Sequence, residues 1–318
     1  MIIDLPTTTT SAINKRMVDL RASGGAIALG RVLSLIILTD DADAEDAIEA
    51  ANDASREHPC RVLVLVSGNK RGSARLDAQI RVGGDAGASE VIVLRTYGEL
   101  ASHGATITVP LLLPDAPVVA WWPGEPPSDP AADPVGEMAA RRITDSARAK
   151  RPAAALARLA ANHTEGDTDL AWTRLTRWRT LLAAALDLPP YEPVRSAVVS
   201  GAPDSPSTEL LAAWLALTLR CPVERKRTKA GTGIGGVRLE RASGAVELTR
   251  SESTVAVLVQ PGQPERRVSL PRRPARECLA EELRRLDPDD VLGDVLVKGL
   301  PLLKQSASKQ SEPREEAS

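Results

Sequence analysis

Two stretches of the chain carry residues whose types and spacing could hold an anion. Residues 200–207 (SGAPDSPS) lie between a strand-like and a helix-like segment, with Ser205 where a helix N-cap would stand and Pro206 at the first helical position. Free amides at such a turn, with the hydroxyls of Ser205 and Ser207 beside them, could hold a phosphate. Ordinary capping uses the same residues and is the simpler account. The second stretch is residues 139–145 (AARRITD), in which Arg141 and Arg142 are adjacent. Guanidinium forks grip phosphates and carboxylates. Salt bridges between domains would use them equally well, and that is the favoured reading.

Covalent and metal chemistry find less support. No GxSxG is present, so a serine nucleophile is not expected. Residues 231–236 (GTGIGG) match GxGxxG formally, but a basic stretch precedes them and strand-like sequence follows, so a hairpin loop is expected. Residues 41–45 (DADAE) hint at calcium, yet the loop glycine is missing and Asn52 stands where the bidentate glutamate belongs. Acids complementing a helix N-terminus account for them better. His58, His103 and His163 show no ligand spacing, and Cys60, Cys221 and Cys278 form no CxxC. Buried thiols are the expectation. Asn162 begins a formal glycosylation sequon, which is irrelevant without secretion. No catalytic residue, cofactor or metal site is assigned.

The large aromatics point to binding. The chain has no Phe, two Tyr and five Trp, so its core must be aliphatic. Trp121 and Trp122 are adjacent in an apolar strand-like run, and neighbours in a strand face opposite ways. One should enter the core; the other should face outward, as partner anchors do, or enter a second layer. Trp172 and Trp178 are six residues apart, about 240° around a helix, with Arg174 between them. Either each packs on a different domain or both are simply core. Partner-binding candidates are therefore Trp121, Trp122, Arg141, Arg142, Trp172, Arg174 and Trp178. The anion-binding candidates are Ser205 and Ser207.

The elements that position these residues follow from periodicity. Residues 11–30 suggest a helix ending at Gly24 and Gly25. Strand 31–39, helix 40–57 and strand 60–67 form a β-α-β unit. Further strands are expected at 76–82, 89–95 and 118–122. Residues 99–113 are ambiguous, with a short helix leading into 107–113. Four prolines make 124–134 a surface linker or docking loop. Helix-like sequence resumes over 136–161 with Pro152 as a break, and a strong helix spans 167–186, begun by Asp167 or Thr168 as cap. A second α/β unit follows: strand 195–200, helix 205–219 and a strand from 222. Strands 237–242, 246–250, 254–260 and 266–270 form an antiparallel meander. Residues 276–286 read as helix, 291–303 as helix or helix plus strand, and 304–318 as a disordered tail.

The fold class is thus α/β (α+β): two mixed-sheet domains with flanking helices, the second containing an antiparallel meander. The expected divisions are an N-terminal α/β domain at 1–125, a proline-rich and helical connection at 126–165, a C-terminal α/β domain at 166–303, and the tail. Net charge is -2 and hydrophobic content 43%, ordinary for a soluble protein. No run could span a bilayer and the N-terminus does not read as a signal peptide, so a cytoplasmic location without membrane contact is expected. A nucleic-acid role would rest on residues 225–229 (RKRTK) alone and is not expected.

An ordered set of segments carries a family resemblance: 54–61 (ASREHPCR), 75–81 (RLDAQIR), 83–87 (GGDAG), 111–124 (LLLPDAPVVAWWPG), 141–145 (RRITD), 166–174 (GDTDLAWTR) and 279–288 (LAEELRRLDP). Together they resemble the actinobacterial glucose-6-phosphate dehydrogenase assembly protein family, OpcA, from near residue 10 to about 303. The resemblance implies a non-catalytic partner of glucose-6-phosphate dehydrogenase that promotes its assembly or activity in the oxidative pentose phosphate pathway. It implies no catalytic residue or cofactor. A protein or enzyme that binds a sugar phosphate or nucleotide through the Ser205 turn and Arg141/Arg142 is the alternative.

Overall fold

The computed structural model describes residues 1–23, 31–83, 90–250 and 254–303. The expected helix end at Gly24 and Gly25, most of the 83–87 segment and the expected disordered tail lie outside them. The chain folds as two mixed sheets, of eight and six strands, with helices flanking them, and divides into two compact units. Unit 1 comprises Met1–Ala149, Gly166–Leu170 and Pro274–Pro288; unit 2 comprises Lys150–Glu165, Ala171–Arg273 and the residues from Asp289 on.

The unit 1 sheet contains β1 (Ile2–Leu5), β2 (Leu33–Thr39), β3 (Cys60–Ser67), β4 (Arg75–Arg81), β5 (Glu90–Tyr97), β6 (Val118–Trp122), β7 (Arg141–Thr144) and β8 (Asp167–Asp169). Their order is β1-β4-β5-β3-β2-β6-β7-β8. The six strands from β5 to β8 are parallel; β4 and β1 add antiparallel to the β5 edge. Parallel strands are buried on both faces and so need near-continuous apolar sequence, which β2 and β3 supply. Alternation divides their side chains. Leu35, Ile37, Val62 and Val64 pack with the helices Ala44–Ser55 and Ala275–Arg284 on one face; Ile36, Leu63 and Leu65 pack with Ile13 and Met17 of Thr10–Ser23 on the other. Each such side chain, fully buried, contributes about 1.5–3 kcal/mol. The alanines of Ala44–Ser55 (Ala47, Ala51 and Ala54 among them) keep its inward face thin.

In unit 2, β9 (Ser196–Gly201) and β10 (Val223–Arg227) are parallel and joined by the helix Pro206–Leu219. On the other side of β9 lies the expected antiparallel meander: β11 (Ile234–Glu240), β12 (Val246–Arg250), β13 (Val255–Val259) and β14 (Arg266–Ser269). One aliphatic core joins this sheet to Leu156 and Leu159 of Pro152–Ala161, Leu182 of Thr176–Leu186, Leu210 and Leu211, and the closing helical segment. That segment starts at Asp290 and passes through a π-turn at Val295–Gly299.

Several expectations are corrected. Residues 141–144 and 167–169 are strands, not helix, because Arg141, Arg142, Thr144, Asp167 and Asp169 find partners there that local propensity does not reveal. Asp167 and Thr168 therefore cap no helix. The strong helix starts only at Thr176, after the short turn Leu170–Thr173. Pro152 begins the helix Pro152–Ala161 instead of breaking one: its fixed φ and missing N–H suit the first turn. Residues 98–111 form three short helical turns. The extreme N-terminus, to which no element was assigned from sequence, forms β1, paired with β4 from Ile2↔Arg81 to Leu5↔Ala78.

Candidate functional site

In the parallel part of the unit 1 sheet the chain runs outward from β2 to β3 and β5, then returns to run outward from β6 to β7 and β8. Strand order reverses between β2 and β6, and open α/β sheets bind ligands beyond the carboxyl ends of strands at such a reversal. A cavity of about 390 Å³ lies there, lined by Leu38, Thr39, Asp40, Asp43, Ser67, Trp122 and residues 124–127. Gly124 lets the loop approach closely: a Cβ there would sit 3.3 Å from Asp43 Oδ2.

The electrostatics of this crevice are those of an acceptor. Asp40 Oδ1 accepts hydrogen bonds from the amides of Ala42 (3.1 Å) and Asp43 (3.1 Å). In a phosphate site the amides of this turn would face the ligand; here a carboxylate of the chain already occupies them. The carboxylates of Asp40 and Asp43 thus give the lining acceptor character. Arg148 binds Asp43 at 3.0 Å.

The acids at 41–45 diverge, which explains why they form no calcium loop. Asp41 goes to Arg95 (3.2 Å), Asp43 to Arg148, and Glu45 to Arg81 (2.6 Å). The hydrogen bonds from Arg81 hold the Glu45 carboxyl below its ordinary range, against a smaller opposing effect of burial. Among the described residues no group of three or more His, Cys, Asp or Glu could hold a metal ion.

The residues nominated from sequence are mostly interior. Trp121 packs in the core on one face of the sheet and Trp122 in the core on the other, 1% and 5% exposed. The second layer, not solvent, takes Trp122, whose side chain lines the crevice. Arg141 and Arg142 alternate across β7 and separate. Arg141 donates to Glu282 Oε2 (2.6 Å) and to the Asp287 carbonyl (2.9 Å), whereas Arg142 bonds Asp167 and the Ala139 carbonyl. All these partners belong to unit 1, so neither bridge is interdomain.

Trp172 and Trp178 share the unit 2 core, because the break before Thr176 voids the 240° geometry of a single helix. Trp172 Nε1 donates to Asp289 (2.7 Å), the same residue that caps the helix Asp290–Asp294. Arg179 stacks over the Trp172 ring and Arg250 over that of Trp178. Arg174 is half-buried. Ser205 occupies the N-cap position of Pro206–Leu219, but its side chain makes no cap hydrogen bond, so the capping expected of its hydroxyl is corrected. Ser207 Oγ is committed to the Ala171 carbonyl (2.7 Å). Cys60 and Cys278 are buried; burial also raises the pKa of the half-buried Cys221 thiol, disfavouring thiolate.

Sequence reasoning missed Asp40 as a site residue. Its signal is an acid directly after a buried strand, two and three residues before amides it can reach. It also missed Asp169, fully buried, which accepts from Thr144 Oγ1 (2.7 Å), Ser146 N (2.8 Å) and Ser146 Oγ (2.9 Å). Its sequence signal is only two short polar runs, TDS at 144–146 and DTD at 167–169.

No curated protein matches the chain. Solved structures similar to it include glucose-6-phosphate 1-dehydrogenase from Mycobacterium avium (12% identity, 86% of this chain and 92% of that chain covered, TM-score 0.42). Another is an oxidoreductase from Sinorhizobium meliloti (11% identity, 88% and 90% covered, TM-score 0.43). These likenesses are distant. The family models are specific: the glucose-6-phosphate dehydrogenase subunit N-terminal domain matches residues 51–161, and the corresponding C-terminal domain matches residues 165–296. With both halves matched in order, the chain belongs to the glucose-6-phosphate dehydrogenase assembly protein family, OpcA.

Proposed function

We propose that this protein is a non-catalytic partner of glucose-6-phosphate dehydrogenase that binds the enzyme and favours its active state, acting in the cytoplasm on the oxidative pentose phosphate pathway. The observation that carries this reading is the paired match to the two domains of the dehydrogenase subunit family. A binding protein changes an enzyme only through differential affinity for its states, so the partner must bind the active conformation or oligomer more tightly. Of the seven nominated partner residues, Arg174 is the one with appreciable exposure. The buried ones would contribute by fixing the surfaces that dock. The test is to mix the purified chain with the dehydrogenase of the same organism. Co-elution in size exclusion and a higher dehydrogenase rate are expected; separate elution with an unchanged rate refutes the reading.

The alternative, binding of a sugar phosphate or nucleotide, divides along its residues. Arg141 and Arg142 are occupied by Glu282 and Asp167 and are not available to a ligand. The Ser205 turn borders a cavity, which is the one observation that keeps this reading.

A further inference from the structure

Exposed arginines of the unit 2 sheet meet carboxylates: Arg225 pairs with Glu209, and Arg238 with Glu240 and Glu247. Arg250 differs, because among the described residues its side chain forms no hydrogen bond and no ion pair. It ends β12 on the face that carries Val246 and Leu248 into the core. At the rim of that core its guanidinium lies over the ring of Trp178, on the helix Thr176–Leu186, 5.1 Å from the ring centroid. The Nε atom is sealed from solvent without a partner, whereas the two terminal nitrogens keep solvent access.

The charge acting on Arg250 has the wrong sign for a structural pair. Burial, and after it the neighbouring charge of Arg272, push the Arg250 pKa down. Arg272 is itself fixed, donating to the carbonyls of Gly231 (3.3 Å) and Thr232. Trp178 is buried in the unit 2 core and gives a rigid floor. Two guanidinium groups are thus held near each other at one rim, and the half-buried one has no acid among the described residues to balance it.

Such a group gains more from an anion than a fully solvated arginine does. Part of its desolvation is already spent on folding, and the low local dielectric strengthens the new interaction. The shape favours a planar anion. A guanidinium held over a ring keeps its terminal nitrogens in one plane, which matches the two oxygens of a carboxylate. Arg272, with both terminal nitrogens on carbonyls, adds charge instead of a second fork. Arginine and tryptophan in a rigid, partly desolvated setting are also the residues that anchor protein interfaces.

We propose that Arg250, on its Trp178 floor, is the docking point for an aspartate or glutamate side chain of the dehydrogenase. The proposal rests on the reading of this chain as a partner of that enzyme. It gives Trp178 a role beneath the contact instead of in it.

The test measures the affinity of the full chain for the dehydrogenase of the same organism at low and high salt. Arg250→Ala should weaken the complex at least tenfold, Arg250→Glu should weaken it further, and both should flatten its salt dependence. Arg272→Ala should weaken it less. Arg250→Gln keeps a long side chain over Trp178, so it should leave Tm unchanged while weakening the complex. That separates lost docking from lost folding. Arg238 lies on the opposite face of the sheet, and Arg238→Ala should have no effect. In the complex, a carbodiimide should join the amine introduced by Arg250→Lys to a carboxylate of the enzyme, which mass spectrometry then identifies. A complex indifferent to all the Arg250 variants overturns the proposal and leaves the dehydrogenase reading standing, as does an equal loss from Arg238→Ala. No complex at either salt overturns both. Arg250-dependent binding of inorganic phosphate, with no effect of Arg250 on the complex, assigns the site to a small anion and also overturns the proposal.

Discussion

Each sheet has a parallel strand whose carboxyl end turns into a helix, β2 into Ala44–Ser55 and β9 into Pro206–Leu219, yet the two turns are held differently. In unit 1 the residue after β2 is Asp40, which turns back onto the amides of Ala42 and Asp43 and fills the place of an anion. In unit 2 the turn after β9 is held by backbone bonds instead, Ser205 N to the Ala202 carbonyl (3.2 Å) and Thr208 N to the Ser205 carbonyl (3.0 Å), while Asp204 reaches away to the Gly231 amide. A strand-turn-helix unit therefore offers a site without deciding its ligand.

The arginines of the two units differ in the same sense, and the largest effect should come from that difference. Arg141 is 4% exposed and held by Glu282, itself buried. Removing one member of a buried pair strands the other charge, at a cost of about 3–5 kcal/mol. Glu282→Ala should lower unfolding stability by that amount in urea titrations, whereas Arg227→Ala, on an exposed strand, should change it by less than about 0.5 kcal/mol. If Glu282→Ala were equally silent, Arg141 would not be structural and its nomination as a ligand arginine would regain force.

Trp122→Ala should be next, at about 3 kcal/mol, near the low end for a buried tryptophan. Trp122 lines the 390 Å³ crevice, so water can enter part of the space left behind. Unchanged stability with weakened dehydrogenase binding would make Trp122 a docking residue after all. A smaller loss, about 1 kcal/mol, is expected for Asp40→Ala, as for removal of a helix-cap side chain. Thermal unfolding that did not respond would mean that water, not Asp40, satisfies the two amides, and the contrast between the two turns would weaken.

Most of the architecture was legible because it rests on apolar periodicity. β3 and β6 fall at their expected limits, and the meander was visible from alternation punctuated by Gly and Pro. What escaped was structure fixed by polar partners far away in sequence. β7 reads as a basic, helix-compatible segment until Glu282, 141 positions later, is seen to neutralise Arg141. Asp169 reads as a helix-start acid until Thr144 and Ser146 are placed around it. The site was less legible than the fold for the same reason. The tryptophans gave the strongest signal but proved to be core, whereas Asp40 matters through the two amides it satisfies, a signal much fainter than an aromatic pair.

The smallest expected effect is electrostatic and concerns the acidic helix start beside the unit 1 crevice. Arg81 hydrogen bonds lower the Glu45 pKa in the folded state. A lowered folded pKa means the ionised form is favoured by folding. The contribution is therefore complete above the ordinary glutamate range and disappears as pH falls through the lower folded value. Because Glu45 is largely exposed, solvent screening should limit the effect to at most about 1 kcal/mol, and salt should reduce it further. The measurement is the stability difference between the native chain and Glu45→Gln from pH 7 down to pH 3, at low and high salt. It should shrink with acidification and with salt. A difference that persisted at pH 3 would show that Glu45 acts through packing, leaving Asp40 and Asp43 to set the charge of the unit 1 crevice without help from the helix it opens onto.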